Sequence, residues 1–178
     1  PGRDLVAEFT QACRERGLRV GLYYSLLDWR YPGYFEPDAH PDSAQALVKQ
    51  AHDQVRELMS NYGRIDELWY DGGWISHGRI ERDAAEFWRS AELNQMVYDL
   101  QPNILINNRS GLNLDLDTPE QVVQASAEGR CWEACMTIGD STGWGWVSDS
   151  PNRKTAATLI QNLLKAAADE GNFLLNIG

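Results

Sequence analysis

An aspartate ends a short apolar run in residues 68–74, which read LWYDGGW. The two glycines after it let the chain turn sharply. Since side chains alternate along a strand, Trp69 and Asp71 share one face. Catalytic groups of α/β barrels lie at the carboxyl ends of the strands. Asp71 is therefore a candidate catalytic carboxylate, although an aspartate that only caps the turn fits the same spacing.

A glutamate stands in a second apolar segment, residues 131–141, which read CWEACMTIGDS. Burial raises the pKa of a carboxyl group and suits a general acid, which makes Glu133 a candidate. A core glutamate bonded to backbone donors or paired with Arg130 fits equally well. Glu120 and Glu128 are the alternative acids.

Hydrolysis of a glycosidic bond requires two carboxyl groups. One is ionised, the other is protonated, and they lie about 5 Å apart when configuration is retained. Asp71 and Glu133 fit these two environments. They predict a retaining glycosidase, whose substrate the pair does not identify and which includes barrel enzymes acting on galactosides or glucosides. A sugar-binding module without turnover is the alternative.

Other polar and aromatic side chains follow the expected strands. Residues 107–109, Asn-Asn-Arg, could bind sugar hydroxyls, although a turn with Arg109 in a surface ion pair is the alternative. Tyr23 and Tyr24 are consecutive, so only one of them can face a pocket, and the sequence leaves open which one. Trp74 stands beside the glycines, where an indole could cover the apolar face of a sugar.

The composition excludes several classes of partner. The 178 residues carry 26 acidic and 16 basic side chains, a net charge of −10, which repels nucleic acid and anionic membrane surfaces. The three histidines are separated in sequence, so no metal site is predicted. No phosphate-binding glycine loop occurs. The three cysteines are expected to be buried thiols.

Helical periodicity alternates with short apolar runs along the chain. Helices are expected from Leu5 to Gly17, from Asp42 or Ser43 to Gly63, over 82–100 and over 156–167. Strands are expected within 18–27 and over 67–71, 104–106 and 173–177, with Gly171 ending the last helix. This order predicts a parallel α/β fold. A closed barrel needs about 250 residues. We therefore expect part of a (β/α)8 TIM-like barrel, in which residues 1–178 are one fragment that lacks the N-terminal strands. A small open α/β domain is the alternative.

Taken together, these segments resemble the α-L-fucosidases of glycoside hydrolase family 29, in the family's order and over nearly the whole chain. The stretches are GLYYSLLDW, ELWYDGGW, INNR, DTPEQ, WEACMTIGDS and GNFLLNIG. The resemblance implies a barrel that removes terminal α-L-fucose with retention and without metal or organic cofactor. It implies the C-terminal part of that catalytic domain.

The same resemblance implies roles for particular residues. The nucleophile falls on Asp71, with Trp69 beside it in the pocket, and the acid/base falls on Glu133. Arg109 matches an arginine that contacts the sugar, and Tyr23 or Tyr24 matches a binding-site tyrosine.

The family's paired histidines have no counterpart here, and Thr142 follows Ser141 where an aromatic is usual. We therefore expect the chain alone to be a poor enzyme. Fucosylated oligosaccharides or glycoproteins are the expected partners, with a homo-oligomer possible. A secreted, periplasmic or lysosomal location is suggested by the resemblance alone.

Overall fold

A computed structural model describes residues 2–75, 83–139, 143–146, 148 and 152–177. Helices alternate with strands that pair in parallel, which confirms the mixed α/β class. The helices are α1 Leu5–Glu15, α2 Pro32–Phe35, α3 Pro41–Asn61, α4 Ala84–Phe87, α5 Ser90–Leu100 and α6 Ala156–Ala168. The strands are β1 Gly21–Ser25, β2 Glu67–Asp71, β3 Leu105–Ile106, β4 Leu116–Asp117, β5 Cys131–Thr137 and β6 Asn172–Asn176.

The chain divides into two compact units, residues 1–113 and 114–178. In the first unit, β1, β2 and β3 form a parallel sheet in that order. Its register pairs Tyr23 with Trp69 and Ser25 with Asp71. One stripe of α3 is buried, as its periodicity predicts. That stripe comprises Ala44, Leu47, Val48, Ala51, Val55 and Met59.

The second unit has its own parallel sheet, in the order β4, β5, β6. Alternate residues of β5 enter a hydrophobic cluster, namely Trp132, Ala134 and Met136, which are joined there by Ala166 of α6. Because strand side chains alternate, Glu133 lies on the opposite face of β5. The same strand thus contributes to the core and carries the candidate acid.

Several helix boundaries differ from those expected. Helix α3 begins at Pro41 with His40 as N-cap, not at Asp42 or Ser43, because proline at the first helical position needs no hydrogen-bond acceptor for its nitrogen. The single helix expected over 82–100 is two helices, since Arg89 adopts the left-handed conformation with φ 51°.

The end of α6 is also set differently. Helix α6 ends before Gly171, and the residue with positive φ there is Glu170. At Gly171 an added Cβ would lie 2.2 Å from the Trp132 ring, so this glycine permits close packing instead of ending the helix.

One further expectation concerns the cysteines. Cys135 is buried, but Cys131 is exposed, because it stands at the start of β5, so the expectation of three buried thiols is wrong. Among the described helices, none has the length and apolar character that crossing a membrane requires.

Candidate active site

Asp71 is held by two side chains at the carboxyl end of β2. The Tyr23 hydroxyl donates to Asp71 Oδ2 at 2.8 Å, and Arg109 Nη1 donates to Asp71 Oδ1 at 3.1 Å. The side chains of Asp71 and Arg109 are 23% and 19% exposed. Both hydrogen bonds fix the orientation of the carboxylate, and the partial exposure leaves it open to a reacting molecule.

Trp69 forms the floor of this arrangement, because it lies two residues before Asp71 on the same face of β2. Its ring is stacked on that of Tyr23, with centroids 5.7 Å apart. The guanidinium carbon of Arg109 lies 4.5 Å from the centroid of the Trp69 ring. Stacking and cation–π contact thus fix the orientation of both donors to Asp71.

Tyr24 points away from this cluster. Its hydroxyl donates to Gln54 Oε1 at 2.8 Å, and its ring meets Tyr70 edge to face. Burial raises the pKa of Tyr24 to about 12. Of the two tyrosines, Tyr23 is therefore the one beside Asp71, which the sequence could not decide.

The turn after Asp71 is fixed by residues that sequence reasoning missed. Trp88 Nε1 donates to the Gly73 carbonyl at 2.6 Å, and the Tyr34 hydroxyl donates to the Trp74 carbonyl at 3.2 Å. Tyr34 and Trp88 are 1% and 0% exposed, so each fills the core and orients the turn. The Trp74 side chain is 53% exposed. The positions of Tyr34 and Trp88 in sequence gave no signal of these contacts.

The residues of the Asn-Asn-Arg segment, 107–109, have different roles. Asn107 is fully buried and its amide bonds to the backbone of Tyr70, so the expectation that this amide binds sugar hydroxyls is wrong. Arg109 lies in a short 3-10 helix, residues Asn108–Ser110. Its close approach to the turn requires Gly73, where an added Cβ would lie 2.4 Å from the Arg109 carbonyl oxygen.

Glu133 belongs to the second unit and is only 8% exposed. Arg130 makes two bonds to Asp117, from Nε at 3.0 Å and from Nη2 at 2.7 Å, which lowers the pKa of Asp117. Glu120 and Glu128 are exposed, so burial of the carboxyl distinguishes Glu133 from both alternatives.

The end of β5 is held by Lys154, whose ammonium group donates to the carbonyls of Thr137 and Gly139 at 2.7 Å each. The segment 140–142 lies outside the described residues, and it includes Thr142, which follows Ser141 where an aromatic residue is usual. Across the part of the chain that the structure describes, no group of three or more His, Cys, Asp or Glu side chains could hold a metal ion.

The site of the first unit thus defines a parallel α/β protein with a strand-end carboxylate, two polar donors and an aromatic floor. A family model described as α-L-fucosidase matches residues 1–178. The chain therefore belongs to the α-L-fucosidase family.

Relatives in the family cover the chain fully. An α-L-fucosidase of Dictyostelium discoideum is 27% identical, covering all of this chain and 40% of that protein. The solved α-L-fucosidase isoenzyme 1 of Paenibacillus thiaminolyticus is 35% identical with a TM-score of 0.78, over 99% of this chain and 47% of that one. A family 29 α-L-fucosidase of Bacteroides thetaiotaomicron, solved as a trapped covalent intermediate, is 25% identical with a TM-score of 0.83, over 99% of this chain and 45% of that one.

The chain spans about 40% of the length of the curated relatives it matches. This share lies in their N-terminal part and not in their C-terminal part, which corrects the expectation of a C-terminal piece. That expectation rested on counting strands, and any consecutive stretch of a repeating β/α fold gives a similar count.

Proposed function

We propose that this chain is catalytic-domain sequence of a retaining exo-glycosidase that hydrolyses terminal α-L-fucose from glycoconjugates. The observation that carries the proposal is the setting of Asp71. Its two oxygens receive separate bonds, from Tyr23 and from Arg109. Two such donors hold the carboxylate in one orientation, as a nucleophile requires.

Asp71 would act by attacking the anomeric carbon of fucose. As its carboxylate oxygen forms the new bond, the glycosidic bond breaks and the leaving oxygen takes a proton from Glu133. Water then attacks the fucosyl ester and gives its proton to Glu133, which releases fucose with its original configuration. No metal or cofactor enters this sequence of steps.

Glu133 is proposed as the acid because its setting contrasts with that of Asp71. It is nearly buried on β5, and burial favours the protonated form of a carboxyl group.

The proposed pocket uses aromatic surface for the apolar parts of the sugar. Trp69 lies beneath the two donors, and the half-exposed Trp74 follows in the turn. Their rings would cover the C–H face and methyl group of fucose, while Arg109 and Tyr23 would also reach its hydroxyls.

A partial (β/α)8 barrel is the proposed architecture, since parallel strands and intervening helices occur in both units. The Bacteroides thetaiotaomicron structure is named as a covalent intermediate formed with 2-fluoro-fucosyl fluoride, which supports double displacement here. Substrates would be fucosylated oligosaccharides or glycoproteins.

Hydrolysis of aryl glycosides tests the proposal. The full-length protein that contains this chain should cleave an aryl α-L-fucoside, leave the matching galactoside and glucoside intact, and release α-L-fucose first, as followed by proton NMR. Release of the β anomer first would exclude retention. Preference for a galactoside or glucoside would make the protein a different barrel glycosidase, and binding of fucose without turnover would make it a sugar-binding module.

A further inference from the structure

Asn107 occupies the point where β3 stops pairing with β2. The ladder between the two strands ends at the pair Leu68 and Ile106. In a parallel sheet the backbone groups of alternate residues point to opposite neighbours, so Leu68 and Tyr70 both turn theirs toward β3. Continued pairing would require the carbonyl of residue 107 and the N–H of residue 109 to bond the backbone of Tyr70.

The Asn107 side chain replaces that missing backbone. Its Oδ1 accepts from the Tyr70 N–H at 3.0 Å, and its Nδ2 donates to the Tyr70 carbonyl at 2.9 Å. The orientation of the amide follows from these two partners, because only an oxygen can accept the first bond and only an NH2 can donate the second. Asn107 and Tyr70 are both 0% exposed, so water cannot take over either bond.

Because the Asn107 side chain makes these bonds in place of backbone groups, the chain can leave the sheet after Asn107. The next three residues form the 3-10 helix Asn108–Ser110 instead of continuing β3. That departure lets Arg109 turn back to Asp71 and stack over Trp69. The far end of the short helix is tied to α5, where Ser90 Oγ donates to the Ser110 carbonyl at 2.6 Å.

The Asn107 side chain is thus linked to both members of the ion pair between Asp71 and Arg109. Tyr70, which Asn107 bonds twice, immediately precedes Asp71, and Arg109 follows Asn107 by two residues. We infer that Asn107 is a positioning residue that fixes Asp71 and Arg109 relative to each other for the reaction. The inference rests on the proposed function, and it assigns Asn107 no contact with the sugar.

Asn107→Asp tests this inference because it keeps the shape of the side chain and exchanges the donor for a titratable group. A protonated carboxyl can still accept from the Tyr70 N–H and donate to the Tyr70 carbonyl, whereas a carboxylate can only repel that carbonyl. Buried between these groups, the new carboxyl has a raised pKa. Its folded state is therefore favoured at low pH and loses stability as pH rises through that pKa.

The kinetic expectation follows from the same contacts. At about pH 8, Asn107→Asp should lose about 10- to 100-fold in kcat on an aryl α-L-fucoside, with a smaller change in KM. Relative to the unsubstituted protein, kcat should recover as pH falls toward about 5. Asn103→Asp, an exposed asparagine four residues earlier, is the matched control and should keep the unsubstituted pH profile. Dividing by that profile removes the pH dependence that the variant shares with the unsubstituted protein.

A second variant covers the case in which Asn107→Asp does not fold. Asn107→Gln keeps the amide but moves it by one methylene, and it should lower kcat more than it changes KM. Circular dichroism confirms that each variant is folded at each pH. A folded Asn107→Asp or Asn107→Gln with unchanged kcat would show that Asn107 serves stability alone and would overturn the inference.

Hydrogen exchange separates this inference from the proposed function. In the unsubstituted protein the Tyr70 amide should be as protected as that of Leu68, although β3 ends before it. A protected Tyr70 amide without fucoside hydrolysis would overturn the fucosidase proposal and with it the role of Asn107 in the reaction. The contacts between Asn107 and Tyr70 would stand. Hydrolysis with an unprotected Tyr70 amide would overturn the Asn107 inference alone.

Discussion

The surroundings of Asp71 and Glu133 differ in the way that two carboxyl groups with opposite tasks require. Asp71 ends its strand, is partly exposed and receives bonds from Tyr23 and Arg109. Glu133 lies within a longer strand and is almost buried, and the neighbouring Arg130 is bonded to Asp117. Polar donors orient a nucleophile, and burial favours a protonated acid. Local environment, and not residue type, therefore separates the two proposed roles.

Removal of Asp71 gives the largest expected effect. Asp71→Gly should lower kcat on aryl α-L-fucosides by a factor of about 10³ or more, because no covalent intermediate can form. Azide should restore part of the turnover by attacking in place of the carboxylate and yielding a β-fucosyl azide. Asp53→Asn, a change in an exposed aspartate of α3, is the control and should be silent. Rescue of turnover without any azide product would contradict the role of Asp71.

A change at Glu133 should depend on the leaving group. Glu133→Gln should lose about 10²- to 10⁴-fold on substrates with poor leaving groups. It should lose much less on activated aryl fucosides, which need little protonation to depart. Glu57→Gln, at an exposed site of α3, is the matched control. Equal losses on both kinds of substrate would direct attention to Glu120 or Glu128 as the acid.

The two adjacent tyrosines allow a finer test of the Asp71 setting. Tyr23→Phe removes one hydrogen bond to Asp71 but keeps the stacking on Trp69, and it should lower kcat/KM by about 10-fold. Tyr24→Phe removes a bond to Gln54 and should change kcat/KM by no more than about twofold. Equal effects of the two substitutions would mean that the bond from Tyr23 does not orient the nucleophile.

The smallest expected effect concerns Arg130 in the surroundings of Glu133. Bonding to Arg130 lowers the pKa of Asp117. The resulting stabilisation is present above the unfolded pKa of about 3.9 and is lost as pH falls through the lowered value. Arg130→Ala should therefore reduce the melting temperature by a few degrees at neutral pH and by less in acid. A difference in melting temperature that stays constant between neutral and acid pH would mean that Arg130 acts through packing and not through Asp117.

Sequence alone located β2 at Glu67–Asp71, because a short apolar run followed by two glycines has few other solutions. It missed the break at Arg89, because no glycine or proline stands there to mark the left-handed residue. It also missed β4, which has two residues and no periodicity to detect.

The candidate site shows the same division between local and long-range information. Alternation along β2 placed Trp69 and Asp71 on one face. Alternation along β1 could not say whether Tyr23 or Tyr24 meets them, because that depends on the register between strands. The amide of Asn107 was assigned to sugar for a related reason, since its partner Tyr70 is distant in sequence.

Covalent trapping tests the central claim, that Asp71 is the nucleophile, most directly. The Glu133→Gln variant would be incubated with 2-fluoro-fucosyl fluoride, whose fluoride leaves without a general acid while the 2-fluoro group slows release of the sugar. Peptide mass spectrometry would then locate the label. We predict one fluorofucosyl group per chain, esterified to Asp71 and absent from the Asp71→Gly protein. A label on any other carboxylate, or a labelled Asp71→Gly protein, would contradict the account.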